Sequence, residues 1–214
     1  MLNSKVAFDN NRFDQNLMGD EMPEVYLVVG LGNPGREYMS NRHNIGFMLL
    51  NEFAKELGIH FSRLQSKALI AHGSNQDKKV VLAKPQTFMN LSGKSLRGLV
   101  RYYGLSLGRI IVVHDDLDLP LGTLRIRPDG GSGGQRGLAS VIEYLGTDKF
   151  PRMRMGIGRP PGLMPAPEYV LENFKRDEIS QVDDMLAQGV EALKEWISYG
   201  LDACMNKYNT KKQE

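Results

Sequence analysis

Four polar residues are of types that together suit the hydrolysis of an activated acyl group: His43, Asp115, Asn33 and Asn90. A neutral imidazole such as that of His43 can take a proton from water near neutral pH. A carboxylate on the other ring nitrogen would fix the tautomer and stabilise the imidazolium ion that forms. An asparagine amide can donate to a developing oxyanion, and losing such a donor typically costs about 10²–10³ in rate. The set therefore predicts metal-free hydrolysis with His43 as the general base.

Each of these residues also has a structural interpretation. His43 stands at the start of a predicted helix and could cap it, and Asn33 before proline is common in turns. Asp115 follows a predicted strand and could be a turn residue. Three neighbours compete for the roles of base and orienting carboxylate: His114, Asp116 and Asp118. Composition and spacing leave the catalytic and the structural interpretations open.

The elements that must position these residues follow from hydrophobic periodicity. Short apolar or alternating runs predict strands at residues 25–30, 67–71, 80–83, 109–113, 123–127 and 152–159. Apolar residues at helical spacing predict helices at residues 45–57, 91–103, 137–145 and 177–199. Strands that alternate with helices predict an α/β fold: a single-domain three-layer sandwich with a mixed, largely parallel twisted sheet flanked by helices.

Three polar clusters come directly after predicted strands, at residues 32–44, 85–90 and 114–118. Ligands of open α/β sheets bind beyond the carboxyl ends of the strands. If these strands are parallel, the three clusters converge at one edge of the sheet. The four polar residues named above then share one site.

Composition indicates an ordinary globular protein and excludes several classes of site. The 214 residues suit one compact domain, with 41% hydrophobic and 24% charged residues. The single cysteine, Cys204, fits a reducing cytoplasm and leaves no Cys–His pair. The sequence also lacks a G-x-S-x-G motif, a zinc-ligand spacing and a membrane-spanning run. Residues 1–24 show no sustained periodicity, so we expect a flexible extension before a domain at residues 25–214.

The distribution of charge is more informative than its total. The net charge of +2 is too small to indicate a nucleic-acid partner. The segment from Thr123 to Arg159, however, contains seven basic residues and only three acidic ones. This local excess could meet phosphates, or it could be a solvated face. Charge alone leaves both interpretations open.

A dinucleotide-binding fingerprint, G-x-G-x-x-G, is present at residues 30–35 directly after the first predicted strand. Such a motif should lead straight into a helix whose amide groups hold the pyrophosphate. Here Pro34 and a polar segment delay the helix by about ten residues, and no acidic residue ends the next strand. We therefore expect these glycines to make a tight turn that presents Asn33.

Longer strings point to a known family. The segments VVGLGNPGREYMSNRHNIGF, KPQTFMNLSGKS, HDDLDLPLG, GGSGGQRGL and RMRMGIGRP closely resemble the bacterial-type peptidyl-tRNA hydrolases in order and spacing. The resemblance extends from about Val25 to the C-terminal helix. It implies a cytoplasmic, monomeric α/β enzyme that needs no metal or cofactor. The implied activity is cleavage of the ester between a peptide and the terminal tRNA ribose, which recycles tRNA from aborted translation.

By matching positions, the resemblance implies that His43 activates water, that Asp115 orients it, and that Asn33 discriminates blocked from free aminoacyl ends. Other matching positions line the substrate site: Tyr38, Phe88, Met89 and Asn90. Arg125 and Arg154 match basic positions that meet tRNA phosphates. The intact set favours an enzyme over the alternative, a non-catalytic RNA-binding protein on the same fold.

One motif departs from the family pattern. Many relatives carry His-Asn where this chain has Gln135-Arg136, and the Asn contacts substrate in those relatives. Gln135 can still donate and accept hydrogen bonds, and Arg136 adds a cation near the expected path of the tRNA end. We therefore expect altered substrate contacts with retained activity. The proline-containing segment 160–172 is a candidate lid over the peptide channel.

Overall fold

The structure, a computed structural model of the chain, describes residues 24–209. The expected flexible extension therefore lies outside the described residues, except for Glu24. The Glu24 carboxylate accepts a hydrogen bond from Nη2 of Arg109 at 2.7 Å and lies 3.8 Å from Nζ of Lys78. The folded part of the chain thus includes Glu24, one residue before the predicted boundary.

The strands are β1 (Val25–Gly30), β2 (Arg63–Gln65), β3 (Ala68–Asn75), β4 (Lys78–Pro85), β5 (Ile110–Asp116), β6 (Leu124–Arg127) and β7 (Arg152–Gly156). Within residues 24–209 they form one seven-stranded sheet in the order β2-β3-β4-β1-β5-β7-β6. The four central strands, β4, β1, β5 and β7, are parallel. Both edges are antiparallel. The predicted mixed sheet is confirmed.

The helices are α1 (Ile45–Glu56), α2 (Ser92–Tyr103), α3 (Arg136–Leu145), α4 (Ala166–Tyr169), α5 (Ile179–Tyr199) and α6 (Leu201–Tyr208). Helices α1, α5 and α6 cover one face of the sheet, and α2 and α3 cover the other. The strands supply both cores because successive side chains point to opposite faces. In β1, Val28 belongs to the first core, whereas Leu27 and Val29 belong to the second. The three predicted layers are therefore confirmed.

All ten predicted elements are present, with boundaries that differ by a few residues. Within residues 24–209, one strand and two α-helices were not predicted (β2, α4 and α6), and each lacks a strong pattern. Strand β2 has only three residues and leaves Leu64 67% exposed. Helix α4 is one turn long and has proline near its start. Helix α6 is separated from α5 by Gly200, whose φ of 87° ends α5. No helix within residues 24–209 is long and apolar enough to cross a membrane.

Gly30 of the fingerprint and Gly46 of α1 allow close packing. A Cβ atom on Gly30 would collide with the carbonyl oxygen of Gly46, and one on Gly46 would lie 2.6 Å from the backbone nitrogen of Leu31. Helix α1 can therefore approach the ends of β1 and β5 closely only because both positions lack side chains. The chain after the glycines enters a short 3-10 helix at Arg36–Tyr38. This geometry differs from that of a dinucleotide-binding turn, as the delayed helix predicted.

Candidate active site

His43 lies in a 3-10 helix, Arg42–Asn44, that leads directly into α1. Its Nδ1 atom is 2.8 Å from Oδ2 of Asp115, at the carboxyl end of β5. His43 is 9% exposed and Asp115 is 3% exposed, so water competes little for this contact. Because the carboxylate must accept, Nδ1 carries the hydrogen of the neutral ring. The lone pair of Nε2 is then available to a substrate or a water molecule.

The competing residues have other partners. The buried His114 donates from Nδ1 to the carbonyl oxygen of Asp115 at 2.8 Å. Burial lowers the pKa of His114 and so disfavours its charged form. The Asp116 carboxylate accepts a hydrogen bond from Nε of Arg154 at 2.5 Å, and Asp118 forms an exposed ion pair with Arg159. Of the three carboxylates in the HDDLD motif, Asp115 is the one that contacts His43.

Asn33 connects two of the polar clusters. Its side-chain oxygen accepts a hydrogen bond from the backbone N–H of Met89 at 3.0 Å. Its backbone N–H and carbonyl oxygen both bond the side chain of Asn44, at 2.9 Å each. These contacts fix the orientation of the Asn33 side chain. They also leave its amino group free, and Asn33 is among the residues that line the adjacent cavity.

A cavity of about 450 Å³ lies at this edge of the sheet. Its lining includes residues from all three predicted polar clusters: Asn33, His43, Phe88, Met89, Asn90, Asp115 and Asp116. The predicted convergence of these clusters is confirmed. It follows from topology, because β1, β4 and β5 are parallel neighbours and end at the same edge. A buried His–Asp pair in such a cavity can transfer a proton to and from a bound substrate.

The same fold and motifs occur in known proteins. A model of the peptidyl-tRNA hydrolase family matches residues 27–214. The chain belongs to the peptidyl-tRNA hydrolase family. It is therefore a hydrolase, as the resemblance of its motifs predicted.

Individual relatives support this membership. A peptidyl-tRNA hydrolase of Desulforamulus reducens is 49% identical over 185 residues, which is 86% of this chain and 89% of the relative. One of Syntrophomonas wolfei is 45% identical over 183 residues, 86% of this chain and 99% of the relative. The crystal structure of peptidyl-tRNA hydrolase from Acinetobacter baumannii superposes with a TM-score of 0.82 at 31% identity, covering 90% of this chain and 98% of that one.

The remaining predicted substrate-site residues of this hydrolase divide into two groups. Gln135 and Arg136, at the start of α3, line the cavity, and Gln135 donates to Oδ1 of Asp115 at 3.0 Å. Tyr38, in the 3-10 helix Arg36–Tyr38, is not among the lining residues. Its predicted contact with substrate stays a prediction.

The two predicted phosphate contacts lie outside the cavity of the hydrolase but next to each other. Arg125 in β6 and Arg154 in β7 are directly opposite across the antiparallel pair. Like charges at such positions repel, and the Asp116 carboxylate offsets the charge of Arg154. Burial alone would raise the pKa of Asp116, but the hydrogen bonds of Arg154 and of the Asp118 N–H hold this pKa below its usual value.

One wall of the cavity is formed by Ala166, Pro167, Val170 and Leu171. The backbone N–H of His43 donates to the carbonyl oxygen of Val170 at 2.8 Å, which joins this wall to the base. Arg42, 1% exposed, lies between the rings of Tyr169 and Phe174, at 4.4 and 4.9 Å from the ring centres. The four residues of this wall lie within the segment 160–172 that the sequence suggested as a lid.

Arg42 also holds the wall in place through an ion pair with Glu178. Its Nη2 atom donates to Oε2 of Glu178 at 2.6 Å, across 136 positions of sequence. Arg42 and His43 are adjacent, so one buried cation positions both the 3-10 helix of the base and the opposite wall. Proline content was the only signal for this segment in the sequence. Among residues 24–209, no group of three or more His, Cys, Asp or Glu residues could hold a metal ion.

Proposed function

We propose that this hydrolase cleaves the ester bond between a peptide, or an N-blocked aminoacyl group, and the terminal ribose of tRNA. The single observation that carries the proposal is the buried contact of 2.8 Å between His43 Nδ1 and Asp115 Oδ2 beside the cavity. A ribose ester is already reactive. General base catalysis of about 10²–10⁴ and an oxyanion donor worth about 10²–10³ suit its hydrolysis.

His43 acts first as a base. Its Nε2 atom takes a proton from a water molecule while the water oxygen attacks the ester carbonyl carbon. The Asp115 carboxylate stabilises the imidazolium ion that forms. The tetrahedral intermediate then expels the ribose oxygen, which takes the proton back from Nε2. The products are a peptide carboxylic acid and a tRNA with a free ribose hydroxyl group, so His43 returns to its starting state.

The two asparagines have separate tasks. Asn90 is an exposed residue of the cavity lining and would donate its amide hydrogen to the developing oxyanion. Asn33 would recognise the blocked end, because its free amino group can donate to the carbonyl oxygen of the first peptide or acyl bond. An unblocked aminoacyl end carries an ammonium group, which cannot accept this hydrogen bond. Phe88 and Met89 supply apolar surface for the acyl side chain.

The tRNA would approach along the strands beside the cavity. Arg125 and Arg154 are adjacent across β6 and β7 and would share the phosphates of the acceptor end. Arg136, exposed at the start of α3, adds a third cation at the cavity mouth. A phosphate bound between Arg125 and Arg154 would relieve their mutual repulsion.

The test is an assay with N-acetylaminoacyl-tRNA and with the free aminoacyl-tRNA as substrates. We expect rapid release of the blocked amino acid and little release of the free one. His43→Ala should abolish turnover while leaving tRNA affinity nearly unchanged. His60→Ala is the matched control, since His60 is exposed in the loop before β2. Tight tRNA binding without turnover by the wild-type protein would instead support the RNA-binding alternative.

We further propose that the enzyme acts as a monomer in the cytoplasm. The monomer is the state that the resemblance of the sequence motifs to the family implies. The cytoplasm is supported by a single cysteine, which is buried and free. Light scattering coupled to gel filtration should give the mass of one chain, and a dimer that retains full activity on dilution would contradict the proposal.

A further inference from the structure

Gln135 lies beside the His43–Asp115 pair and has hydrogen-bond partners at both ends of its side-chain amide. It is 9% exposed and precedes α3 as the N-terminal capping residue. Its Oε1 atom accepts a hydrogen bond from the backbone N–H of Leu138 at 2.5 Å. Its Nε2 atom donates to Oδ1 of Asp115 at 3.0 Å and contacts the sulfur of Met89 at 3.4 Å.

The orientation of the Gln135 amide follows from its neighbours. The Leu138 N–H can only donate, so the amide oxygen must face it. The amino group then faces Asp115, whose carboxylate can only accept. The two amino hydrogens go to Asp115 and to the sulfur of Met89, which leaves neither of them for a substrate. This geometry favours a positioning role for Gln135 over the direct substrate contact that the sequence suggested.

Asp115 is held from two sides as a result. Its Oδ2 atom accepts from His43, and its Oδ1 atom accepts from Gln135. A carboxylate with a single partner could rotate about its Cβ–Cγ bond. A second donor, anchored by the first turn of α3, prevents this rotation and keeps Oδ2 directed at His43. Small displacements of a catalytic group can cost about 10²-fold in rate.

We propose that Gln135 is a positioning residue that holds the Asp115 carboxylate in line with His43 and transmits the position of helix α3 to the catalytic pair. The inference rests on the proposed function. It assigns to this chain a hydrogen-bond donor that stays uncharged at every pH. A histidine at the same position could gain a proton and a positive charge in the physiological range.

Two variants separate positioning from substrate binding and from simple stabilisation of α3. Gln135→Met removes both the cap and the donor in a side chain of similar length. Gln135→Glu keeps an oxygen for the Leu138 N–H but replaces the donor with a second carboxylate oxygen facing Asp115. Other titratable or charged groups close to this pair are His43, Asp116 and Arg136 in the cavity lining and His114 in β5. All of them are unchanged in both variants.

For Gln135→Met we expect kcat for N-acetylaminoacyl-tRNA to fall about 10- to 100-fold, with KM within about twofold of wild type. For Gln135→Glu we expect a loss that depends on pH. At low pH a proton shared between the two carboxyl groups replaces the lost hydrogen bond. As pH rises, both groups ionise and repel each other. The ratio of variant to wild-type kcat should therefore fall steadily between about pH 5 and pH 8.

Three outcomes would overturn the inference. A raised KM with unchanged kcat would make Gln135 a substrate contact. A loss of kcat in Gln135→Met together with wild-type kcat at every pH in Gln135→Glu would make it only a helix cap, because the glutamate keeps the oxygen that accepts from Leu138. Wild-type kinetics in both variants would leave it without a role. In each case the wild-type enzyme still hydrolyses the substrate, whereas failure of the proposed function would appear as an inactive wild type.

Discussion

The Nδ1 atom of His43 lies 2.8 Å from Oδ2 of Asp115, although 72 positions separate the two residues in the chain. The contact exists because β1 and β5 are parallel neighbours and α1 packs closely against their ends. It is buried, so the Asp115 carboxylate acts on the imidazole with little screening by water.

Asp115→Asn should lower kcat strongly while leaving the fold intact. The amide has nearly the shape of the carboxylate, but it cannot stabilise an imidazolium ion and can select the wrong tautomer of His43. In a Ser-His-Asp triad, the same change costs about 10⁴ in kcat. Steady-state hydrolysis across the pH range measures the loss. Asp118→Asn is the matched control because Asp118 is exposed and pairs with Arg159. A kcat that equals wild type at every pH would contradict the role of Asp115.

Asn33→Asp should reduce the preference for blocked substrates. The carboxylate keeps an oxygen for the Met89 N–H, which holds the side chain in place. It replaces the free amino group with a second acceptor, which favours the ammonium group of an unblocked end. We expect the ratio of kcat/KM values for N-acetylaminoacyl-tRNA and aminoacyl-tRNA to fall by at least about tenfold, since one hydrogen bond to a charged group is worth about 1.5–3 kcal/mol. An unchanged ratio would remove Asn33 from substrate selection.

Charge reversal of Arg125 should weaken tRNA binding. It should also make the tRNA affinity less dependent on salt concentration. Each phosphate contact that is lost should reduce the slope of log affinity against log salt concentration by about 0.7–0.9. Binding of tRNA by Arg125→Glu at several salt concentrations measures this slope. Arg63→Glu is the matched control, since Arg63 lies in β2 at the opposite edge of the sheet. If both variants bind tRNA alike, the cations of β6 and β7 are only solvated surface.

Glu178→Gln should destabilise the protein and loosen the wall of the cavity. It leaves the cation of Arg42, 1% exposed, without a carboxylate. Breaking a buried pair in this way costs about 3–5 kcal/mol, and the partial exposure of Glu178 places the loss at the lower end. Urea unfolding at pH 7 measures it. Glu191→Gln, which affects an exposed pair with Lys194, is the control.

The destabilisation by Glu178→Gln should also depend on pH. Burial alone would raise the pKa of Glu178, but hydrogen bonds from Arg42 and the Lys175 N–H hold this pKa below its usual 4.5. A lowered pKa in the folded state means that the stabilisation is present above pH 4.5 and is lost as pH falls through the folded-state value. The difference in unfolding free energy between wild type and variant should therefore shrink below about pH 4. A difference that is constant with pH would show that the charge of Glu178 does not contribute.

Much of the fold could be predicted because its signals are local. The apolar run of β1 has the predicted bounds, and the stripe of α5 differs only at its first residues. The convergence of the polar clusters could also be predicted, since strands that alternate with helices tend to be parallel. Elements without a strong pattern could not be predicted, and α4, which forms part of the cavity wall, is one of them.

The sequence by itself determined which side chains are available for chemistry: two candidate histidines, three candidate carboxylates and two asparagine amides around the ends of predicted strands. Only the tertiary structure decided their pairing. In the folded protein Asp115 contacts His43, and Asp116 accepts a hydrogen bond from Arg154. Gln135 donates to the second carboxylate oxygen of Asp115. The physical reason is that hydrophobic periodicity reports which face of an element is buried. Hydrogen-bond partners depend on sub-ångström placement of residues that are distant in the chain, and local sequence carries little information about that placement.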